Sequence, residues 1–147
     1  MMCFFDTSAL VKYYIREAGS ANVTALIQHP DSYLFISEIA HVEIRSAFYT
    51  KLRTQQIKPT ELEQALQAFR ESLDNFYSQP ITGTLRQRAE ELIEEHGTTF
   101  ALRTLDAFQL ATFLLLPYKG ATFVSADERL VTLVQAVDFP VLNPSLT

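Results

Sequence analysis

The amino-acid sequence predicts an α/β fold in which a central, mostly parallel five-stranded sheet is covered by helices on both faces. Short apolar runs recur along the chain, and segments with the helical spacing of apolar residues separate them. The runs are continuously apolar, which is typical of strands buried on both faces of a sheet. The chain has 147 residues, the size of one compact domain, so we expect residues 1–147 to form a single domain.

The apolar runs are the predicted strands. They lie, in chain order, at residues 2–5, 33–36, 78–82, 121–125 and 139–142. The third run is the weakest of them.

Helical spacing in the first half of the chain predicts helices over residues 9–15, 23–27, 38–53 and 58–73. Gly19 ends the first of these helices and Pro30 ends the second. Ser37 is a favourable N-cap for the third helix. Pro59 lies in the segment that begins the fourth, which is clearly amphipathic.

In the second half, further helices are predicted over residues 83–95, 104–116 and 127–137. We expect Gly97 to end the helix over residues 83–95 as a standard C-terminal glycine. Thr104 is expected to cap the second, and Pro117 ends it. The amphipathic helices over residues 62–73 and 83–95 are expected to leave apolar surface for a two-fold dimer.

The composition excludes several classes of protein. Hydrophobic residues make up 48% of the chain and charged residues 20%, which favours a globular domain over a disordered or fibrous chain. The net charge of −5 means that the surface as a whole does not attract nucleic acid, although this does not exclude a local basic rim. The single cysteine, Cys3, and the lack of a signal peptide or membrane span predict a cytoplasmic protein.

Two acidic residues follow predicted strands. Asp6 comes directly after the first strand, and Asp127 lies just past Ser125 at the end of the fourth. Because open parallel sheets bind ligands at the carboxyl ends of their strands, both are candidate site residues. Aspartate is also among the best N-caps, so each carboxylate, taken alone, is also explained by capping the helix that begins beside it.

Glu43 and Asp106 are candidate acids on helices. Glu43 shares a helix face with Ala40 and Ala47. Because these side chains are small, the Glu43 carboxylate can approach the edge of the sheet closely. The alternative is that Glu43 is solvated at the margin of the apolar face. Asp106 lies in the first turn of its helix, where an anion also stabilises the helix dipole. Gln109, one turn further, either supports Asp106 or faces water.

Together the four acids can converge at one end of the sheet, where their charges repel unless a cation lies among them. We therefore expect at least three of the four carboxylates to lie close enough to share one ion. Oxygen ligands with no histidine or cysteine nearby in the sequence favour Mg²⁺ or Mn²⁺ over Zn²⁺. Such a site suits phosphate chemistry, because the metal polarises a phosphoryl oxygen, generates hydroxide and stabilises the leaving oxygen.

Four segments around these acids resemble, in order, the four blocks of the PIN-domain family. The segments are residues 6–12, 37–43, 102–111 and 123–130. Each segment is unspecific alone, but the ordered set covers essentially the whole chain. The sequence is most similar to the VapC-type toxins of bacterial and archaeal toxin–antitoxin pairs.

This resemblance implies a Mg²⁺- or Mn²⁺-dependent endoribonuclease with strand order 3-2-1-4-5. It also implies RNA as substrate, a homodimer, and inhibition by a small antitoxin protein whose tail enters the acidic groove. The positions that match the catalytic and metal-binding acids of the family are Asp6, Glu43, Asp106 and Asp127.

Ser8 and Ser125 match the supporting small hydroxyl positions of the family, with helix capping as the alternative interpretation. The chain departs from the family pattern at two positions. Gln109 stands where many relatives have histidine, and Ser125 where threonine is common. Neither change removes a carboxylate, so metal binding is not put in doubt, whereas substrate preference is.

Other polar residues carry weaker signals. The histidines His29, His41 and His96 have no partners at metal-ligand spacing and are expected on the surface or in loops. Several basic residues near the acidic segments either contact RNA phosphates or are ordinary solvated charges. They are Lys12, Arg16, Arg45, Arg103 and Arg129.

Competing functions differ in the residues that they need. A haloacid-dehalogenase-like phosphatase needs a second aspartate where this chain has Ser8, and a response-regulator receiver needs an aspartate after the third strand, where residues 78–82 have none. The sequence has no glycine-rich phosphate loop. The alternative that stays open is a catalytically silent PIN-like module that binds a partner protein through its acidic groove.

Overall fold

The computed structural model describes residues 1–146, which form a five-stranded sheet flanked by helices. The elements are β1 (Met2–Phe5), α1 (Thr7–Tyr14), α2 (Ser20–Gln28), β2 (Tyr33–Ser37), α3 (Ala40–Arg53), α4 (Pro59–Ser72), a 3₁₀ turn (Leu73–Asn75), β3 (Tyr77–Gln79), α5 (Gly83–His96), α6 (Thr104–Leu114), β4 (Thr122–Val124), α7 (Glu128–Ala136) and β5 (Val141–Leu142). None of the helices within residues 1–146 combines the length and the apolar character needed to cross a membrane.

Every strand pairs in parallel with its neighbours, in the order β3-β2-β1-β4-β5. The central strand is β1, in which Phe4 pairs with Phe35 of β2 on one side and with Phe123 of β4 on the other. The fold class predicted from the apolar runs and the strand order implied by the resemblance are both confirmed.

Successive residues of β1 point to opposite faces of the sheet and enter two separate hydrophobic cores. Phe5 packs with Ile36 beneath helices α1 to α4. Phe4 packs with Phe123 beneath helices α5 to α7. Because helices cover both faces, both sides of each central strand are apolar, which explains the continuously apolar runs.

Two strand boundaries are displaced by prolines. The strand β3 ends at Gln79, earlier than predicted, and β5 begins at Val141, later than predicted. Pro80 and Pro140 have no N–H group to donate to the ladder of hydrogen bonds, so regular pairing stops before the first and starts after the second.

The prediction that Ser37 is the N-cap of α3 is wrong. Ser37 is the last residue of β2, and the N–H of Glu38 still donates to the Gln79 carbonyl of β3 at 2.8 Å. The chain therefore stays in the sheet for longer, and α3 begins at Ala40. The Ser37 hydroxyl accepts a hydrogen bond from the N–H of Ile39 at 3.2 Å and so shapes the turn between strand and helix.

Two other helix ends differ from expectation. Thr104 is the first residue of α6, and Arg103 occupies the N-cap position instead. Gly97 follows α5 as predicted but has a φ of −60°, so it is not the left-handed C-terminal glycine that commonly ends a helix.

Gly19 separates α1 from α2 as predicted, and both its conformation and its surroundings require glycine. Its φ of 90° is left-handed. A Cβ atom at this position would lie 2.8 Å from the carbonyl oxygen of Pro144, because the C-terminal segment passes over the turn. Asn22 Nδ2 donates to the same oxygen at 2.8 Å and holds the segment in place.

Candidate active site

The four acids singled out in the sequence line one cavity of about 610 Å³. Asp6 follows β1 and Asp127 follows β4, so both lie at the carboxyl end of the parallel sheet. Glu43 and Asp106 lie in the first turns of α3 and α6. The structure thus brings together residues that are up to 121 positions apart in the sequence, since Asp6 and Asp127 follow neighbouring parallel strands.

Asp6 is a buried carboxylate with a hydrogen bond to each oxygen. Its side chain Oδ1 accepts from the Ser8 hydroxyl at 2.7 Å and from the N–H of Ala9 at 3.0 Å, and Oδ2 accepts from the Ser125 hydroxyl at 2.6 Å. The net pKa of Asp6 is raised to about 6. Burial is the main cause and the charge of Asp127 adds to it, whereas the hydrogen bonds from Ser125, Ser8 and Ala9 lower the pKa. The site therefore holds a carboxylate whose charge is stabilised only by neutral donors.

The two serines hold the carboxylate in place from two elements. Ser8 Oγ accepts from the N–H of Ala126 at 2.9 Å while it donates to Asp6. Ser125 Oγ likewise accepts from the N–H of Asp127 at 3.1 Å while it donates to Asp6. Each hydroxyl therefore links the start of α1 to the loop between β4 and α7, which fixes the orientation of Asp6.

Glu43 is held by two polar side chains from other elements. Its Oε1 accepts from Thr7 Oγ1 at 3.0 Å and from Gln109 Nε2 at 2.6 Å. Burial raises the pKa of Glu43; the hydrogen bonds from Gln109 and Thr7 oppose this shift, and the charge of Asp106 adds to it. The alternative interpretation, a solvated Glu43 beside the apolar face, is thus wrong, because side chains from two other elements hold its carboxylate.

Asp127 serves as a helix cap and as a cavity wall at the same time. Its Oδ1 accepts from the N–H groups of Arg129 and Leu130 at the start of α7, at 3.0 and 3.4 Å. Its Oδ2 faces the guanidinium groups of Arg103 and Arg129, at 3.8 and 3.6 Å. Capping and a role in the site therefore do not exclude one another here.

Arg103 also contacts Asp106, whose Oδ2 lies 3.2 Å from the Arg103 backbone nitrogen and 3.5 Å from its Nε. The Arg103 side chain is 69% exposed, so these long ion pairs are weak and exchange readily with solvent. Of the five basic residues weighed in the sequence, Arg103 lies in the cavity wall and contacts two of the acids.

Two expectations about this site are wrong. Within residues 1–146, no three histidine, cysteine, aspartate or glutamate side chains are arranged to hold one metal ion, because hydrogen bonds and ion pairs draw each carboxylate toward partners of its own. Gln109 neither supports Asp106 nor faces water; it is 3% exposed and donates to Glu43 and Thr7.

Thr7 is a further polar residue of the cavity that the sequence did not single out. It donates to Glu43 and accepts from Gln109 at 3.2 Å. Its position beside Asp6, directly after the first strand, was the available signal. The three histidines do not line the cavity.

The donor chemistry of the cavity fits Mg²⁺ or Mn²⁺. Mg²⁺ usually binds proteins through one or two carboxylates and keeps several waters, so it does not need three protein ligands. Apart from desolvation, the pKa of Asp6 is raised by Asp127 and that of Glu43 by Asp106. The acids thus repel one another in pairs, and a divalent cation between them would relieve this repulsion.

Comparisons with known proteins agree with the fold. A family model described as the PIN domain matches residues 3–134, whereas no curated protein matches the chain. Similar solved structures include FitAcB from Neisseria gonorrhoeae, with a TM-score of 0.67 and 19% identity over 100% of both chains. VapBC2 from Rickettsia felis, bound to a DNA fragment from its promoter, has a TM-score of 0.65 and 14% identity over 97% of this chain and 98% of that one. A toxin–antitoxin complex from Klebsiella pneumoniae has a TM-score of 0.64 and 19% identity over 97% of each.

Proposed function

The chain belongs to the PIN-domain family, and from this premise we propose that it is a Mg²⁺- or Mn²⁺-dependent endoribonuclease, the toxin of a type II toxin–antitoxin pair. The observation that carries this proposal is the cavity lined by four acids from separate segments of the chain. Similar folds occur in structures described as VapBC, FitAcB and toxin–antitoxin complexes, which supports an antitoxin as the partner.

The proposal places the metal ion in the cavity that the carboxylates of Asp6, Glu43, Asp106 and Asp127 line; one or two of them would hold the ion directly, and the others would balance its charge. A bound ion would supply an activated water and would stabilise the leaving oxygen of the phosphodiester. The chain itself orients the ligands: Ser8 and Ser125 hold Asp6, and Gln109 holds Glu43. With a pKa of about 6, Asp6 is mostly ionised at neutral pH and ready to bind a cation.

We extend the proposal to the assembly and location of the protein. Residues 1–147 act as one domain, the active form is a homodimer, and the protein works in the cytoplasm. The buried thiol of Cys3, whose pKa burial raises, supports an unreactive cysteine in a reducing compartment.

The decisive experiment compares RNA cleavage with Mn²⁺, Mg²⁺, Ca²⁺ and a chelator. The protein is first freed from any co-purified antitoxin by denaturation and refolding. We expect cleavage at a restricted set of sites with Mn²⁺ or Mg²⁺ only, because the larger and looser coordination shell of Ca²⁺ positions water poorly.

Three substitutions make this experiment specific. Asp6→Asn should abolish cleavage, and Ser125→Ala should reduce it about 10- to 100-fold, as expected when a residue that orients a metal ligand is removed. Asp74→Asn removes the same charge from an exposed site outside the cavity and should leave the rate unchanged. If the folded, antitoxin-free protein cleaves none of a broad RNA panel with Mn²⁺, the silent partner-binding module replaces this proposal.

A further inference from the structure

A second cavity of about 320 Å³ adjoins the acid cavity. Lys51 and Gln56 line both cavities, so the Lys51 side chain lies in the wall between them. Tyr14, Arg16 and Gln64 line the second cavity only. The second cavity thus adjoins the acid cavity at Lys51 and Gln56 and has none of the four acids in its own wall.

Lys51 is held in this wall by a carboxylate outside the acid cavity. Its Nζ donates to Glu17 Oε2 at 2.6 Å, and Lys12 Nζ donates to Glu17 Oε1 at 3.2 Å. Burial alone would raise the pKa of Glu17, but the hydrogen bonds and charges of Lys51 and Lys12 outweigh it and hold this pKa below its ordinary value. The cluster of two lysines and one ionised glutamate thus carries one excess positive charge.

Lys51 and Arg103 are the basic side chains that line the acid cavity in the described part of the chain. Arg103 is 69% exposed and contacts two of the acids. The Lys51 side chain is 16% exposed, and its ion pair is with Glu17. A side chain already held in one position loses less conformational entropy when it binds a ligand, so Lys51 is the better prepared of the two to bind an anion.

We propose that Lys51 binds a phosphate of the RNA strand next to the phosphate that lies among the acids, and that Glu17 is the positioning residue that holds its ammonium group in the wall. This inference rests on the proposed function. A divalent ion neutralises only two of the four negative charges that line the cavity, so a fixed cation beside the cavity favours the approach of a polyanion. Because Lys51 lies on one side of the cavity, it also directs the strand toward the second cavity.

The test measures the affinity of a short single-stranded RNA for the Asp6→Asn protein, which leaves the RNA uncleaved, over a series of salt concentrations. One phosphate contact to a single strand contributes about 0.7 to the slope of log affinity against log salt concentration. Adding Lys51→Gln should therefore reduce the slope by about 0.7 and the affinity in 0.1 M salt about fivefold. Lys51→Arg keeps the charge and should keep the slope.

Lys119→Gln is the matched control, because Lys119 is exposed and precedes β4, at the opposite end of the sheet from the acids. This control should change neither slope nor affinity. In the protein with Asp6 intact, Glu17→Gln adds one net positive charge to the cluster but releases Lys51 from the wall. A positioning role predicts a higher KM for RNA with kcat unchanged, whereas a lower KM would overturn that role. Circular dichroism establishes that each variant is folded.

The possible failures are distinguishable. If the unsubstituted protein neither binds nor cleaves RNA, both the proposed function and this inference fall. If it cleaves RNA but folded Lys51→Gln binds with an unchanged slope, only the role of Lys51 is overturned. If Lys51→Gln weakens the binding of a partner protein but leaves RNA binding unchanged, Lys51 contacts that partner and not RNA, and the inference is overturned as well.

Discussion

At Asp6, burial and hydrogen bonding oppose each other within a single side chain. Desolvation raises the pKa, donors from Ser125, Ser8 and Ala9 lower it, and the net value is about 6 against an ordinary 3.8. Between these two pH values the folded state binds a proton that the unfolded state has released. The stability of the folded state therefore falls as pH rises through this window.

Asp6→Asn removes this pH dependence. In chelator, we expect the variant to gain stability relative to the unsubstituted chain between about pH 4 and pH 6, and to keep a gain of roughly 2–3 kcal/mol at higher pH. Urea unfolding at a series of pH values measures the difference. Asp74→Asn should show no such rise, and a stability difference for Asp6→Asn that is the same at pH 4 and pH 8 would contradict the prediction.

Among the elements, the junction between α1 and α2 requires glycine for two reasons, its left-handed φ and a close backbone contact. Gly19→Ala places a Cβ on a left-handed residue and 2.8 Å from the Pro144 carbonyl oxygen, so we expect a loss of about 2 kcal/mol in the free energy of unfolding. Gly83→Ala is the matched control, because a Cβ there meets no atom within 4 Å. It should be neutral or slightly stabilising. Equal effects of the two substitutions in urea unfolding would refute this account.

At the scale of the whole molecule, the expected apolar surface lies on α5 and not on α4. The large apolar residues of α4, Leu62, Leu66 and Phe69, are buried in the core of their own chain. On α5, Ile93 is 37% exposed and lines a groove with Phe108 of α6. The expectation that α4 has spare apolar surface is therefore wrong.

For the proposed homodimer, we expect sedimentation equilibrium at roughly tens of micromolar to give twice the chain mass of 16.7 kDa. Ile93→Glu places a charge in the α5–α6 groove and should shift the population toward monomer. Ile81→Glu introduces the same charge at another residue, which is 40% exposed and lies before α5, and should leave the mass unchanged. A monomer at all these concentrations would argue against the homodimer.

The sequence was most informative where a signal acts over a few residues. Apolar runs and helical spacing located the strands and helices, Gly19 marked the break between α1 and α2, and Pro117 marked the end of α6, because local conformational preferences decide these features. Ser37 was misjudged because its backbone follows the pairing of β2 with β3, and that pairing depends on residues about forty positions away.

The sequence by itself determined the fold class, the positions of the elements and the four acids at their edges. Only the tertiary structure decided what each acid contacts. Gln109 donates to Glu43 and not to Asp106, and Arg103 forms ion pairs with Asp106 and Asp127. No three ligand side chains of residues 1–146 are arranged to hold one metal ion. The physical reason is that the spacing of residues along a strand or helix fixes the face on which a side chain lies, whereas its hydrogen bonds depend on which distant segments pack beside it.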